Sequence, residues 1–238
     1  MSNLPTIGLL LSDKEYLRPL VDWFCSHNPL FSLGFVSGLD DNTIFPSLLN
    51  RCQSLQQVCS SSDIVFSLGY ESIIPKSIID SVPLGIVNLH QSYGLKYRGR
   101  NLATHHILND EKYIGASLHY ITEKVDCGPI VALGRVKIDP DDTAYTAFNK
   151  AMSLALPLLK RNIEALLSGP ITDTIPHYKR QYLFKSYDID HEIPIDVVCE
   201  GGNTLYKYIR ALTYPGKPLP YFVLNGKRIY LTLEQKND

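Results

Sequence analysis

Stretches that are apolar at consecutive positions, rather than at every second one, decide most of what this chain can become. Thr6-Ile7-Gly8-Leu9-Leu10-Leu11-Ser12, Phe31-Ser32-Leu33-Gly34-Phe35-Val36, Asp63-Ile64-Val65-Phe66-Ser67-Leu68 and Gly85-Ile86-Val87-Asn88-Leu89-His90 are such runs. A strand of that kind has to be covered on both faces, as in a parallel sheet with helices above and below it. The segments between the runs supply those helices. From about Glu15 to His27, Leu17, Leu20, Val21 and Phe24 recur at helical spacing, and another helix is led by Pro75. The alternation predicts an α/β fold with a doubly wound, mostly parallel sheet.

Farther along, Ala116 to Ile121 and Ile130 to Ile138 read as two more strands. Asp141-Asp142-Thr143 offers N-cap oxygens to a long amphipathic helix that runs to about Leu167 and stops at Gly169-Pro170. Pro157 lies inside it and is expected to kink or split it, because proline lacks the N–H that the preceding turn needs. After Gly169 the alternation ends. A helical turn around Thr204 to Leu212 precedes Tyr221-Phe222-Val223-Leu224, Asn225-Gly226 and Arg228-Ile229-Tyr230-Leu231, and Asn-Gly between two such runs marks a hairpin. The expected division is a catalytic domain over residues 1–169 and a small helix-and-hairpin appendage over residues 170–238, a size that suits one main core.

Charge and composition exclude several classes. Lys and Arg number 23 against 24 Asp and Glu, a net charge of −1, so no global field attracts a polyanion and no nucleic-acid partner is expected. The short basic run Lys96-Tyr97-Arg98-Gly99-Arg100 reads first as a solvated loop. Five scattered cysteines with no Cys-x-x-Cys pair suggest a reduced, cytoplasmic protein. The start lacks the basic and apolar regions of a signal peptide, and no apolar run approaches a membrane span.

Ligands of open α/β sheets bind beyond the carboxyl ends of the strands, where Asn88 and His90 stand. Taken singly they have ordinary explanations, a turn cap and a hydrogen-bonded core histidine. Asp126, in Glu123-Lys124-Val125-Asp126-Cys127-Gly128-Pro129-Ile130, is by default a turn-former. Together they make a workable set for acyl transfer: amide and imidazole polarise a carbonyl, while a carboxylate tunes the imidazole and accepts a proton. His119, between Leu118 and Tyr120, reads as a strand residue in a structural or supporting role. His105 and His106 are adjacent on a helix and so do not share a face, which argues against a metal pair; no metal is expected.

Asn88-Leu89-His90, Lys96-Tyr97-Arg98-Gly99, Gly115-Ala116-Ser117-Leu118-His119 and Asp126-Cys127-Gly128-Pro129-Ile130 occur in an order and at intervals that resemble the folate-dependent formyltransferases. That resemblance covers Ile64 to Leu167 best and implies a Rossmann-like formyltransferase fold. It implies that Asn88, His90 and Asp126 form a catalytic triad acting on 10-formyltetrahydrofolate as co-substrate. Gly69, Tyr70 and Ile73, in the segment after the third strand, would join the loop before Asp126 in a pterin pocket. One departure is Gln91-Ser92-Tyr93-Gly94-Leu95, where the family usually carries Ser-Leu-Leu-Pro.

Three branches of the resembled family compete for the acceptor. The glycinamide ribonucleotide branch has a Gly-rich phosphate loop after the first strand, where this chain has Leu11-Ser12-Asp13-Lys14-Glu15. The methionyl-tRNA branch has a full basic C-terminal domain, larger than the residues that remain here. The branch acting on nucleotide-linked amino sugars matches in length and in Leu205-Tyr206-Lys207-Tyr208-Ile209-Arg210-Ala211-Leu212. This resemblance implies N-formylation of an amino sugar for lipopolysaccharide O-antigen biosynthesis, a homodimer formed through the C-terminal region, Lys96 or Arg98 against the substrate's pyrophosphate, and Tyr221 or Tyr230 against its base. An inactive folate-binding module is the alternative from outside the enzymes.

Overall fold

A computed structural model describes residues 4–27, 30–171, 174–185 and 188–233, so Met1 to Asn3 of the start lie outside it. Its centre is a six-stranded sheet in the order β2-β1-β3-β4-β6-β7. The strands are β1 (Thr6–Leu11), β2 (Ser32–Ser37), β3 (Ile64–Leu68), β4 (Ile86–His90), β6 (Tyr113–Tyr120) and β7 (Ile130–Lys137). β1 to β4 pair in parallel and β6 is antiparallel to both its neighbours, so it alone runs against the rest. From β1 the chain moves out to β2 and returns to β3 on the other side. That reversal opens a crevice at the carboxyl ends of β1 and β3.

The consecutive apolar runs behave as two-faced strands. In β1, Ile7, Leu9 and Leu11 enter one cluster with Leu20, Val21 and Phe24 of α1 (Arg18–Ser26) and Leu158 and Leu159 of α6 (Ala155–Ser168). Leu10 faces the opposite layer, with Val58 and Cys59 of α2 (Leu55–Ser60) and, packed against them, Ile78 and Ile79 of α3 (Lys76–Ile79). Burying such side chains is worth roughly 1.5–3 kcal/mol each, which outweighs the modest helix propensity of short segments such as α2. α2 is also secured by a Ser54/Gln57 capping box.

The long helix divides as the proline requires. Thr143 caps α5 (Ala144–Ser153) through Thr146, α5 ends four residues before Pro157, and α6 begins at Ala155. α5 lays Ala144, Ala147 and Ala151 against Ala103 and Ile107 of α4 (Leu102–Leu108) and Ala211 of α8 (Gly202–Leu212), small residues that let three helices approach closely.

Three elements differ from the sequence expectation. Tyr97-Arg98-Gly99, read as a loop, is strand β5, paired in parallel with β8 (Tyr182–Phe184) in a separate two-stranded ribbon. A short helix α7 (Ile195–Glu200) also precedes α8. Neither β5 nor β8 exceeds a single turn's worth of pattern, so no periodicity announces them; their pairing is long-range. The hairpin forms as expected, β9 (Tyr221–Leu224) against β10 (Lys227–Tyr230), with Asn225 at φ 51° and Gly226 at φ 73° as a type I′ turn demands. No helix among the described residues is long and apolar enough to cross a membrane.

Candidate active site

Asn88 and His90 project from the same face of β4 because strand side chains alternate. The antiparallel register sets His119 directly opposite Asn88 and Ser117 opposite His90. β6 and β7 slip by one residue between Leu118 and His119, a local irregularity of the kind found beside active sites. Just past it the chain turns through Asp126, whose φ is 46°.

The Asp-Cys-Gly-Pro turn has a steric reason. A Cβ on Gly128 would stand 1.7 Å from the Tyr120 carbonyl oxygen, so only glycine lets the turn close on β6. Pro129 then accepts from the Tyr120 N–H at 2.9 Å, and Gly128 from the His177 ring at 2.8 Å. Gly99 plays the matching part in β5. With φ 86° and room for no Cβ against the Phe184 carbonyl, it turns its N–H onto Asp126 Oδ2 at 2.8 Å.

These constraints gather the three expected residues. Asn88 Nδ2 is 3.4 Å from Asp126 Oδ1, and His90 Nδ1 is 3.5 Å from that same oxygen. His90 Nε2 donates to the Tyr97 carbonyl at 2.8 Å; a carbonyl only accepts, so Nε2 holds the proton and Nδ1 is the nitrogen facing the carboxylate. Burial pushes the His90 pKa below its ordinary value, against the pull of Asp126. Burial acts to raise the Asp126 pKa, but the His90 and His119 imidazoles and the Gly99 amide outweigh it and hold the carboxyl below the usual range. The resting pair at neutral pH is therefore a neutral imidazole beside a carboxylate, with Nδ1 as the open proton acceptor.

The pair lies in a cleft of about 1340 Å³ at the crevice between β1 and β3. Gly69, Tyr70 and Ile73 line it with Ile121 and Val125, and Ile73 is 73% exposed, an apolar side chain open at the wall. Tyr16, Phe148, Tyr214 and Tyr145 line another part as a chain of rings with successive centroids 4.9, 5.8 and 5.4 Å apart.

Other expected contacts fall elsewhere. Lys96 and Arg98 do not line the cleft: Lys96 is drawn back into an ion pair with Glu111 and lies over the Tyr178 ring, while the Arg98 Nε is buried. Arg100 lines the cleft instead, paired with Glu71 at 3.2 Å. Tyr221 and Tyr230 face each other across the hairpin at 5.7 Å, outside the cleft lining. His105 stacks on Phe184 and His106 meets Tyr97 edge-on, the different surroundings that adjacent helix positions imply. Gln91 to Leu95 forms a tight turn, Tyr93–Leu95, held by Ser117 Oγ, which accepts from Gly94 N–H and donates to the Ser92 carbonyl.

His119, expected in a structural or supporting role, stands with its Nε2 3.1 Å from Asn88 Nδ2 and 3.5 Å from Asp126 Oδ1. The Gly115–His119 motif marked the residue, and the antiparallel register supplies its partner, Asn88.

Residues 48–162 match the family model described as formyl transferase. Over that stretch, just under half of the chain, it resembles the formyl transferases. A methionyl-tRNA formyltransferase of Lactobacillus acidophilus is 29% identical over 187 residues, which is 77% of this chain and 57% of that protein. The chain thus spans little more than half of that curated relative. A 4-N formyltransferase from Francisella tularensis superposes with a TM-score of 0.83 at 19% identity, covering 98% of this chain and 99% of that one. An N-formyltransferase from Helicobacter canadensis, solved in complex with folinic acid and dTDP-3-aminofucose, superposes at 0.74 with 19% identity over 95% of this chain and 86% of that one. At such identities the two structures show a shared fold.

Proposed function

We propose that this protein transfers a formyl group from 10-formyltetrahydrofolate to the amine of a nucleotide-linked amino sugar. The observation that carries the reading is the meeting of Asn88, His90 and Asp126 at the carboxyl end of β4, inside a cleft large enough for two substrates. The folate supplies an activated formyl carbonyl, and Gly69, Tyr70, Ile73 and the backbone before Asp126 form the pterin-facing wall.

A neutral amine attacks the formyl carbon, forming the new C–N bond; the C–N bond to the folate breaks as that nitrogen takes up a proton. Asn88 Nδ2 donates to the oxygen that gains charge, a type of contact typically worth about 3–4 kcal/mol. His90 Nδ1 receives the proton that the amine loses, and Asp126 beside it stabilises the imidazolium. The Tyr97 carbonyl keeps the ring in the tautomer that leaves Nδ1 free for this.

Lys14, Lys124 and Lys217 line the cleft and make no salt bridge among the described residues, so they take the place of Lys96 and Arg98 as cations for the acceptor's pyrophosphate. Residues 1–169 act as the catalytic domain and residues 170–238 as an appendage whose hairpin, with Leu219, Val223, Leu224, Ile229 and Tyr230 exposed, meets a second copy of the chain. The likeness to a methionyl-tRNA formyltransferase favours a second reading with that acceptor, against which the net charge of −1 counts. The test is mass spectrometry of a panel of nucleotide-linked amino sugars, and of methionyl-tRNA, after incubation with 10-formyltetrahydrofolate and wild type or His90→Ala. Formylation of one sugar by wild type alone supports the reading; formylation of the tRNA alone replaces it.

A further inference from the structure

Asn88 is the one member of the triad that does not titrate, and its amide can face a reacting carbonyl in two ways. Only the nitrogen can hold an oxyanion; the oxygen would repel it. What decides the orientation lies across the strand pair. His119 Nδ1 is 2.9 Å from the Tyr120 carbonyl, which can only accept, so Nδ1 carries the ring proton. In the neutral ring Nε2 is then a bare acceptor, and it stands 3.1 Å from Asn88 Nδ2.

We propose that His119 is a positioning residue: it anchors one N–H of the Asn88 amide and so directs the other into the cleft. The proposal rests on the reading of Asn88 as the oxyanion donor. Turning the amide over would set its oxygen against the bare His119 nitrogen and 3.4 Å from Asp126 Oδ1, so two acceptors select the same orientation. Asn88 Nδ2, His119 Nε2 and Asp126 Oδ1 form a triangle with sides of 3.1, 3.4 and 3.5 Å. Seen from Nδ2 the two acceptors are therefore separated by about half of the roughly 120° between the N–H bonds of a planar amide. They stand close enough together for one hydrogen to serve both, which leaves the second N–H for the substrate.

His119 is 1% exposed, so water does not replace this anchor. An imidazolium at His119 would reverse the arrangement, donating from Nε2 to Asp126 at 3.5 Å. The contact to Asn88, at 3.1 Å, is the shorter of the two.

Nitrogen NMR of labelled protein at neutral pH reads the ring directly, without reference to turnover. The expected result is an unprotonated-type Nε2 and a protonated-type Nδ1 for His119, with scalar coupling across the Nδ2–H to Nε2 hydrogen bond. A proton on Nε2 overturns the proposal. In kinetics, His119→Phe should lower kcat by about 10- to 100-fold while both KM values stay within about 2-fold, and His119→Gln, which keeps an acceptor, should recover part of the loss. In an Asn88→Ala background the same His119→Phe change should cost under about 3-fold, because the group it positions is gone; full additivity of the two losses would overturn the proposal. Ring nitrogens as expected in a protein that formylates nothing would support the anchoring and sink the reaction. Should His119→Phe fail to fold, the NMR measurement and His119→Gln still decide.

Discussion

The carboxyl end of β4 and the β9–β10 hairpin are built on opposite terms. At β4 the functional side chains are held by hydrogen bonds: His90 to the Tyr97 carbonyl, Asp126 to the Gly99 amide, and His119, opposite Asn88, to the carbonyl of its neighbour Tyr120. His90 and His119 are 5% and 1% exposed. In the hairpin the two strands pair only with each other within their sheet, and Val223, Leu224, Ile229 and Tyr230 remain open. The first region is a set of polar groups that the fold itself has satisfied. The second is apolar surface that the described chain leaves uncovered, and a two-stranded ribbon alone is marginal in water. The first holds its polar groups in hydrogen bonds, and the second leaves apolar side chains exposed.

The largest effect should come from the tied region. His90→Ala or Asp126→Asn is expected to lower kcat by about 10³- to 10⁴-fold with folate binding retained, as single-turnover assays and calorimetry would show. A loss under tenfold would remove the residue from the chemistry. Next comes the turn that aims Asp126. Gly128→Ala forces a Cβ into the Tyr120 carbonyl, and should cost about 1–3 kcal/mol in urea unfolding, with activity reduced about 10²-fold through misplacement of the carboxylate.

A smaller effect should appear in pH. Burial lowers the pKa of both His105 and His106 to about 4. The unfolded chain takes up these protons first, near pH 6.5, so stability should fall as pH drops from about 6.5 toward about 4. Asp126, whose pKa is depressed, adds a further loss only below about pH 4, where the unfolded carboxyl protonates. Urea midpoints measured across that range check the sign. His105→Leu should flatten the first limb, since its Nε2 has no hydrogen-bond partner to lose among the described residues.

The smallest effect on the site should come from the hairpin. Leu224→Lys combined with Ile229→Lys is expected to shift the protein from dimer to monomer in analytical ultracentrifugation while the unfolding free energy per monomer moves by about 0.5 kcal/mol or less. A dimer that survives both charges would place the interface elsewhere and make the two regions less different than they are drawn.

Much of this was readable in the residues. The two-faced strands, the split at Pro157, the cap at Thr143 and the Asn225-Gly226 turn each follow from short-range rules, because sterics and hydrogen-bonding needs act within a few residues. The ordered motifs around Asn88, His90 and Asp126 likewise pointed to residues that the structure brings together. Lys96 and Arg98 show where that reading stops. Their place beside the Tyr-Arg-Gly motif suggested substrate contact, but Glu111, reached only after the α4 helix, takes Lys96 away.

What the sequence determined by itself is local: which segments bury both faces, where helices start and break, and which turn carries an acid. What only the tertiary structure decided is pairing. The antiparallel register that opposes His119 to Asn88 and the β5–β8 ribbon that brings Gly99 to Asp126 join residues distant in the chain, and the Tyr97 carbonyl that selects the His90 tautomer is set by the turn between β4 and β5. A hydrogen bond forms between atoms about 3 Å apart whatever their separation in sequence, so its partners exist only once the chain has closed on itself.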